Sequence, residues 1–193
     1  MPKALNIIRD EHRSIAAVLH GMQYLVRQIR ERKAKIDSRV FRAMLYYLDI
    51  FSERMHHPKE DLYLFAPLRR MGGPAEALVL ELEHEHAEGG QALRRLEQYL
   101  LRYEEGGDKE FPAFAQAVEE FVRDYWEHMR KEEEQVFPLA EQLFDENNWY
   151  AIDRAFGENA DPLAGEWDEE DFRKLFSRIV SLAPPPIGVG PTA

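Results

Sequence analysis

His56-His57-Pro58-Lys59-Glu60 and His128-Met129-Arg130-Lys131-Glu132 stand 72 residues apart and share the pattern His-x-x-Lys-Glu. Residues four apart lie on one face of an α-helix, one turn apart. Each stretch therefore predicts a helix whose imidazole and carboxylate reach toward one point. Working outward, Glu11-His12 recurs as Glu83-His84 and Phe65 as Phe137, at the same spacing of 72. The repeating unit is a His followed 44 residues later by His-x-x-x-Glu. Each unit reads as a helical hairpin, and two hairpins make a bundle in which a pseudo-twofold brings four histidines together.

Hydrophobic periodicity supplies the four helices. The first runs over about residues 3–30, with Leu5, Ile8, Ile15, Leu19, Met22, Val26 and Ile29 on one stripe and His12 as its one polar member. The second covers about 39–70, N-capped by Asp37 or Ser38, with Pro58 as a kink and Gly72-Gly73 as its end. The third covers about 75–103, with Ala77, Leu80, His84, Ala87, Glu88 and Gln91 taken as the inward face. The fourth covers about 111–144, with His128 and Glu132 on the stripe of Phe114, Val118, Phe121, Tyr125, Val136 and Leu139. The expected fold is all-α: an up-down-up-down four-helix bundle over residues 1–147. Residues 148–193 read as a C-terminal loop, a short helix over Asp168–Leu182 and a proline-rich extended or mobile tail from Pro184.

Composition narrows the chemistry. The 193 residues are enough for one domain with a sizeable core. Cysteine is absent, which removes disulfides, thiolate zinc sites, ordinary iron–sulfur clusters and cysteine nucleophiles. A net charge of -11 argues against a nucleic-acid partner. No apolar run approaches membrane-spanning length and the N-terminus lacks the apolar core of a signal peptide, so a membrane partner is not expected and the expected location is cytoplasmic.

Four histidines and two glutamates on inward stripes need an explanation. A lone His on such a stripe is usually a core residue, but two buried carboxylates without a counter-charge are very costly. Bound cations remove that cost. His12, His56, Glu60, His84, His128 and Glu132 are the expected metal ligands, with Glu88 as a further candidate. A glutamate from each hairpin can bridge two ions, leaving the imidazoles terminal. Imidazole and carboxylate without sulfur suit iron or manganese, and zinc less exclusively. Helical geometry puts Glu132 about 40° from His128 and Glu133 about 140° away, so Glu132 is taken as the ligand. Glu53-x-x-His56 and Glu83-x-x-His86 also match the Glu-x-x-His pattern of ferritin-like bundles, but on consecutive helices and off the inward stripe.

Taken together, Asp10-Glu11-His12-Arg13, His56-His57-Pro58-Lys59-Glu60-Asp61, Leu64-Phe65-Ala66-Pro67, Glu83-His84-Glu85, His128 through Glu134, and Val136-Phe137-Pro138 resemble the hemerythrin-like, or HHE cation-binding, family over about residues 3–145. The resemblance implies a centre of two iron ions (Fe2+/Fe3+), and with the anionic Glu88 in place of a histidine, air is expected to oxidise it to an oxo- or hydroxo-bridged form. It also implies chemistry with O2, NO or peroxide, and redox or iron sensing. The nearest members in pattern use four histidines and two glutamates. The oxygen carriers of the family carry five histidines, and where they have His-x-x-x-His this chain has Glu88 four after His84.

The remaining candidates are assigned to packing or solvent: His57 to the surface or to a contact behind the ligands, His20, His86, Glu133 and Glu134 to solvated faces. Tyr24, Tyr47, Tyr63 and Tyr125 are read as bundle packing. Three functions fit: a di-iron protein that binds or senses O2 or NO or handles iron, a di-iron oxidase or peroxidase, and a helical module with a structural metal. The last would use a protein partner or homodimer.

Overall fold

The computed structural model describes residues 2–33, 36–157, 177 and 179–189. Among them every regular element is helical. Helix α1 is Lys3–Arg30. Helix α2 runs continuously over 39–71, α3 is Pro74–Gly106, α4 runs over 111–143, and α5 is Glu146–Gly157.

The antiparallel order shows in the core, which forms two clusters. One joins the C-terminal half of α1 (Leu19, Met22) to the start of α2 (Phe41, Leu45), the end of α3 (Leu96, Leu100) and the start of α4 (Phe114, Val118). The other joins the start of α1 (Leu5, Ile8) to the end of α2 (Leu64, Leu68), the start of α3 (Val79, Leu82) and the end of α4 (Val136, Ala140). Such a pairing of ends defines an up-down-up-down bundle. The buried polar residues lie in the slab between the clusters. The sharp α2–α3 connection uses Gly72 and Gly73, both at positive φ (73° and 68°), a region that glycine enters without steric cost. Asp37 caps α2, its Oδ1 accepting from Arg39 N at 2.9 Å.

Pro58 does not break α2. Its helix instead becomes π-helical over Leu48–His56 and Glu60–Phe65, and α4 does so over Glu132–Val136. Five-residue steps are seen in His57 N to Ser52 O, Ala66 N to Asp61 O and Phe137 N to Glu132 O. Prolines 58, 67 and 138 follow these three segments. A proline supplies no N–H to the helix ladder, and in each case the residue just before it donates to a carbonyl five residues back.

Two C-terminal features differ from expectation. Helix α5 crosses the boundary expected at residue 147 and buries Ile152, Ala155 and Phe156 against the second cluster. It also meets backbone needs elsewhere: Asp153 Oδ1 accepts from Ala4 N at 2.6 Å, and Ala155 O accepts from Lys59 Nζ at 2.8 Å. Of the helix expected over 168–182, residues 177 and 179–182 are helical and the rest lie outside the described residues. The expected extended tail is instead folded back over 184–189, with Val189 N donating to Val180 O at 2.7 Å and Tyr24 donating to Pro185 O at 3.2 Å. Residues 190–193 lie outside the described residues.

Candidate metal centre

The slab holds His12 from α1, His56, His57 and Glu60 from α2, His86 from α3, and His128 and Glu132 from α4, all buried. His12, His56, Glu60, His128 and Glu132 are thus brought together as the repeat requires. His84 and Glu88 are not: both are exposed. The buried stripe of α3 is Ala75, Val79, Leu82, His86, Leu93, Leu96 and Leu100, two positions out of step with the expected face. Two residues are about 200° of helix, so over 77–91 the buried face lies nearly opposite the expected one, while Leu96 and Leu100, expected near it, are buried. His86 therefore stands where His84 was expected, and the counterpart of Glu11-His12, with its histidine buried, is Glu85-His86. Its spacing from Glu11-His12 is 74, because the second hairpin is two residues shorter between its histidines, 42 from His86 to His128 against 44 from His12 to His56.

Two carboxylates span the imidazoles. Glu132 Oε2 lies 3.2 Å from His12 Nε2 and its Oε1 lies 3.2 Å from His128 Nε2. Glu60 Oε2 lies 3.4 Å from His56 Nε2 and 3.7 Å from His86 Nε2, while its Oε1 lies 3.7 Å from His12 Nε2. Ligand-type atoms of His12, His56 and Glu60 lie within 4.8 Å of one another, as do those of His57, Glu60, His86 and His128. Glu60 belongs to both groups, as a bridging carboxylate would.

The outer nitrogens repeat too. His56 Nδ1 donates to Glu11 at 2.7 Å and His128 Nδ1 to Glu85 at 2.9 Å. His12 Nδ1 donates to Glu133 at 2.9 Å and His86 Nδ1 to Asp61 at 2.7 Å. The acid that holds one imidazole precedes a histidine in the chain, and the acid that holds the other follows an inward glutamate. Such contacts favour the tautomer that turns Nε2 inward; the inward Nε2 atoms of His86 and His128 lie 2.9 Å apart. Glu133, expected on a solvated face, is partly exposed and yet serves this role.

Electrostatics follow from the crowding. Burial alone would lower the His12 pKa, but Glu132, Glu133 and Glu60 outweigh it and hold it well above the usual imidazole range. Against the same burial, Asp61, Glu132 and Glu60 push His86 up to about 10, and Glu132 and Glu85 push His128 up to about 9. Burial favours a neutral Glu132, yet the facing histidines hold its carboxyl well below the usual range.

His57 departs from the repeat, whose equivalent position is Met129. The wide π-helical turns advance each residue by less than 100°, so His56 and His57 both face inward. Burial and the neighbouring His86, His128 and His56 hold its pKa well below the usual value. Its Nε2 lies 3.0 Å from Tyr125 Oη, which also bonds Ser52. Burial raises the tyrosine pKa, so Tyr125 keeps its proton. Tyr47 is core, Tyr63 is half-buried against the second cluster, and His20 is exposed, as expected.

The donor set can be tested against a cation on the structure alone. His12 Nε2 and all four oxygens of Glu60 and Glu132 are buried without a hydrogen-bond partner. Buried polar atoms are otherwise almost always satisfied. Here the orphans converge, and they are the atoms a metal would take, so the residues fit such a group. The fold and this slab define a helical bundle whose buried histidine and carboxylate cluster fits a metal site. The family model for the hemerythrin HHE cation binding domain matches residues 3–140, and the chain belongs to that family. No curated protein and no solved structure matches the chain. None of the described helices is long and apolar enough to cross a membrane.

Proposed function

We propose that the chain is a non-haem di-iron protein that binds or senses O2 or NO, or handles iron under redox stress. His12, His56, His86 and His128 would be terminal ligands, and Glu60 and Glu132 would bridge. The observation that carries this reading is the convergence of unpartnered carboxylate oxygens on paired imidazoles. Iron suits the sulfur-free set better than zinc, with manganese as the nearest competitor. When bound, two iron ions supply one-electron redox chemistry and positions open to a diatomic or a peroxide. The protein's own part is to hold four imidazoles by their outer nitrogens, exclude bulk water, and keep the Glu132 carboxylate ionised. A second reading, an oxidase or peroxidase, draws support from a cavity of about 370 Å³ that reaches His57, His86 and His128 between α3 and α4. That is larger than a diatomic needs.

Metal analysis tests the proposal. Protein expressed with iron should hold about two iron ions per chain. His86→Ala should lose most of the metal, and His84→Ala should keep it. A stable content of one zinc, unchanged by iron supply, would overturn the reading.

A further inference from the structure

The cavity beside the centre carries a second message. Its walls are apolar or aromatic: Phe121, Tyr125, Ala92 and the bare backbone of Gly89, with the His57 and His86 rings stacked 4.0 Å apart at the inner end. At about 370 Å³ it is more than twice the roughly 150 Å³ cavity that accepts benzene in an engineered protein. The acids at its mouth are mostly neutralised. Arg123 pairs with Asp124 at 2.8 Å, Arg130 with Glu127 at 2.5 Å, and Lys131 with Glu85 at 2.5 Å. Glu88 and Arg95 remain, of opposite sign. The entrance therefore favours no ion of either charge.

The polar end is unfinished. His57 Nδ1 and Glu53 Oε1 are both buried without a hydrogen-bond partner, 3.5 Å apart. The Glu53 carboxylate lies against Gly89, 3.0 Å from where a Cβ would stand, so only glycine leaves it room beside the cavity wall. His57 Nε2 is taken up by Tyr125 at 3.0 Å, which leaves Nδ1 as the ring's open nitrogen. A hydroxyl group can accept from Nδ1–H and donate to Oε1 at once; its oxygen fits about 2.8 Å from each. An ammonium could not accept, and either kind of ion would have to shed its water to enter.

We propose that this cavity binds a small uncharged aromatic molecule bearing a hydroxyl, of the phenol class, with its ring against Phe121 and Tyr125 and its hydroxyl between His57 and Glu53. The site's relevance to catalysis rests on the di-iron reading, but the binding itself does not need the metal.

Phenol, benzoate and benzylamine titrated into the full chain, as purified and after chelation, test it by calorimetry and ligand-observed NMR. Phenol should saturate one site, and the two ions should bind at least tenfold more weakly. Ala92→Phe should weaken phenol tenfold or more by filling the cavity, and Ala92→Leu serves if the larger variant loses its helical circular dichroism. Glu53→Gln should weaken phenol severalfold without changing the melting temperature. Non-saturating phenol binding, equal affinity for benzoate, or unaltered binding in the Ala92 and Glu53 variants would overturn the proposal. Iron content measured on the same samples separates the two readings. Phenol binding in a chain that takes up no iron sinks only the di-iron reading, and iron without phenol binding sinks only this one.

Discussion

At the scale of single residues the centre is a set of paired decisions about protons. Each of His12, His56, His86 and His128 gives its Nδ1 proton to a carboxylate and turns Nε2 inward. Removing such a partner typically costs metal sites about 10- to 100-fold in affinity. Glu11→Ala and Glu85→Ala should each weaken iron binding by that order, measured by competition with a calibrated chelator, while Glu134→Ala, paired with Arg130 on the surface, should change little. Charge gives a second test. The folded pKa values of His86 (about 10) and His128 (about 9) stand above the unfolded value of about 6.5. A raised folded pKa contributes stability below the unfolded pKa and loses it as pH climbs through the folded one. Chelated protein should therefore melt at progressively lower temperature from about pH 6.5 to pH 10; a rising melting temperature over that range would refute the assignment. Most of the site residues were legible from the sequence, because i,i+4 spacing and a 72-residue repeat carry His56, Glu60, His128 and Glu132 directly. His86 was not. The dipeptide Glu-His occurs twice in succession, and strict spacing chose His84 over the better apolar register of Val79, Leu82, Leu93 and Leu96.

Among the elements, the π-helical turns and α5 were the ones that local reading missed. Proline positions hinted at a kink, but a widened register needs the partner helices to hold it, and those contacts are long-range. The widened turns also account for His57, which a uniform 100° per residue sends to the surface. Helix α5 has only three buried residues, too few for periodicity to stand out, and its docking depends on Ala4 and Lys59, more than 90 residues away in sequence. Phe156 is fully buried and meets the His56 ring edge-on with centroids 6.4 Å apart. Phe156→Ala should cost about 3–5 kcal/mol, as core truncations of this size do. Urea unfolding would show it as a lower midpoint with little change in slope. An unaltered midpoint would mean that α5 does not pack against the bundle in solution.

On the scale of the whole molecule, apolar patterning was sufficient to read the bundle and its order. The division of the core into two clusters was not readable, because it is created by the slab of ligands. The two clusters meet only across polar groups, so a bound ion stabilises the folded state by mass action on both ends together. The pseudo-twofold has one more consequence, concerning how such a chain can be assembled. Residues 1–72 carry His12, His56 and Glu60; residues 73–193 carry His86, His128 and Glu132. Each half owns two of the proposed imidazole ligands and one of the proposed carboxylates, so on that reading neither can hold the ions alone. A chain severed between Gly72 and Gly73, where the link is a tight turn with no buried side chain, becomes two pieces with complementary halves of one binding site. The cation should then act as the adhesive: co-purification of the two fragments should depend on iron, reverse on adding chelator, and fail when Glu132→Ala is built into the second piece.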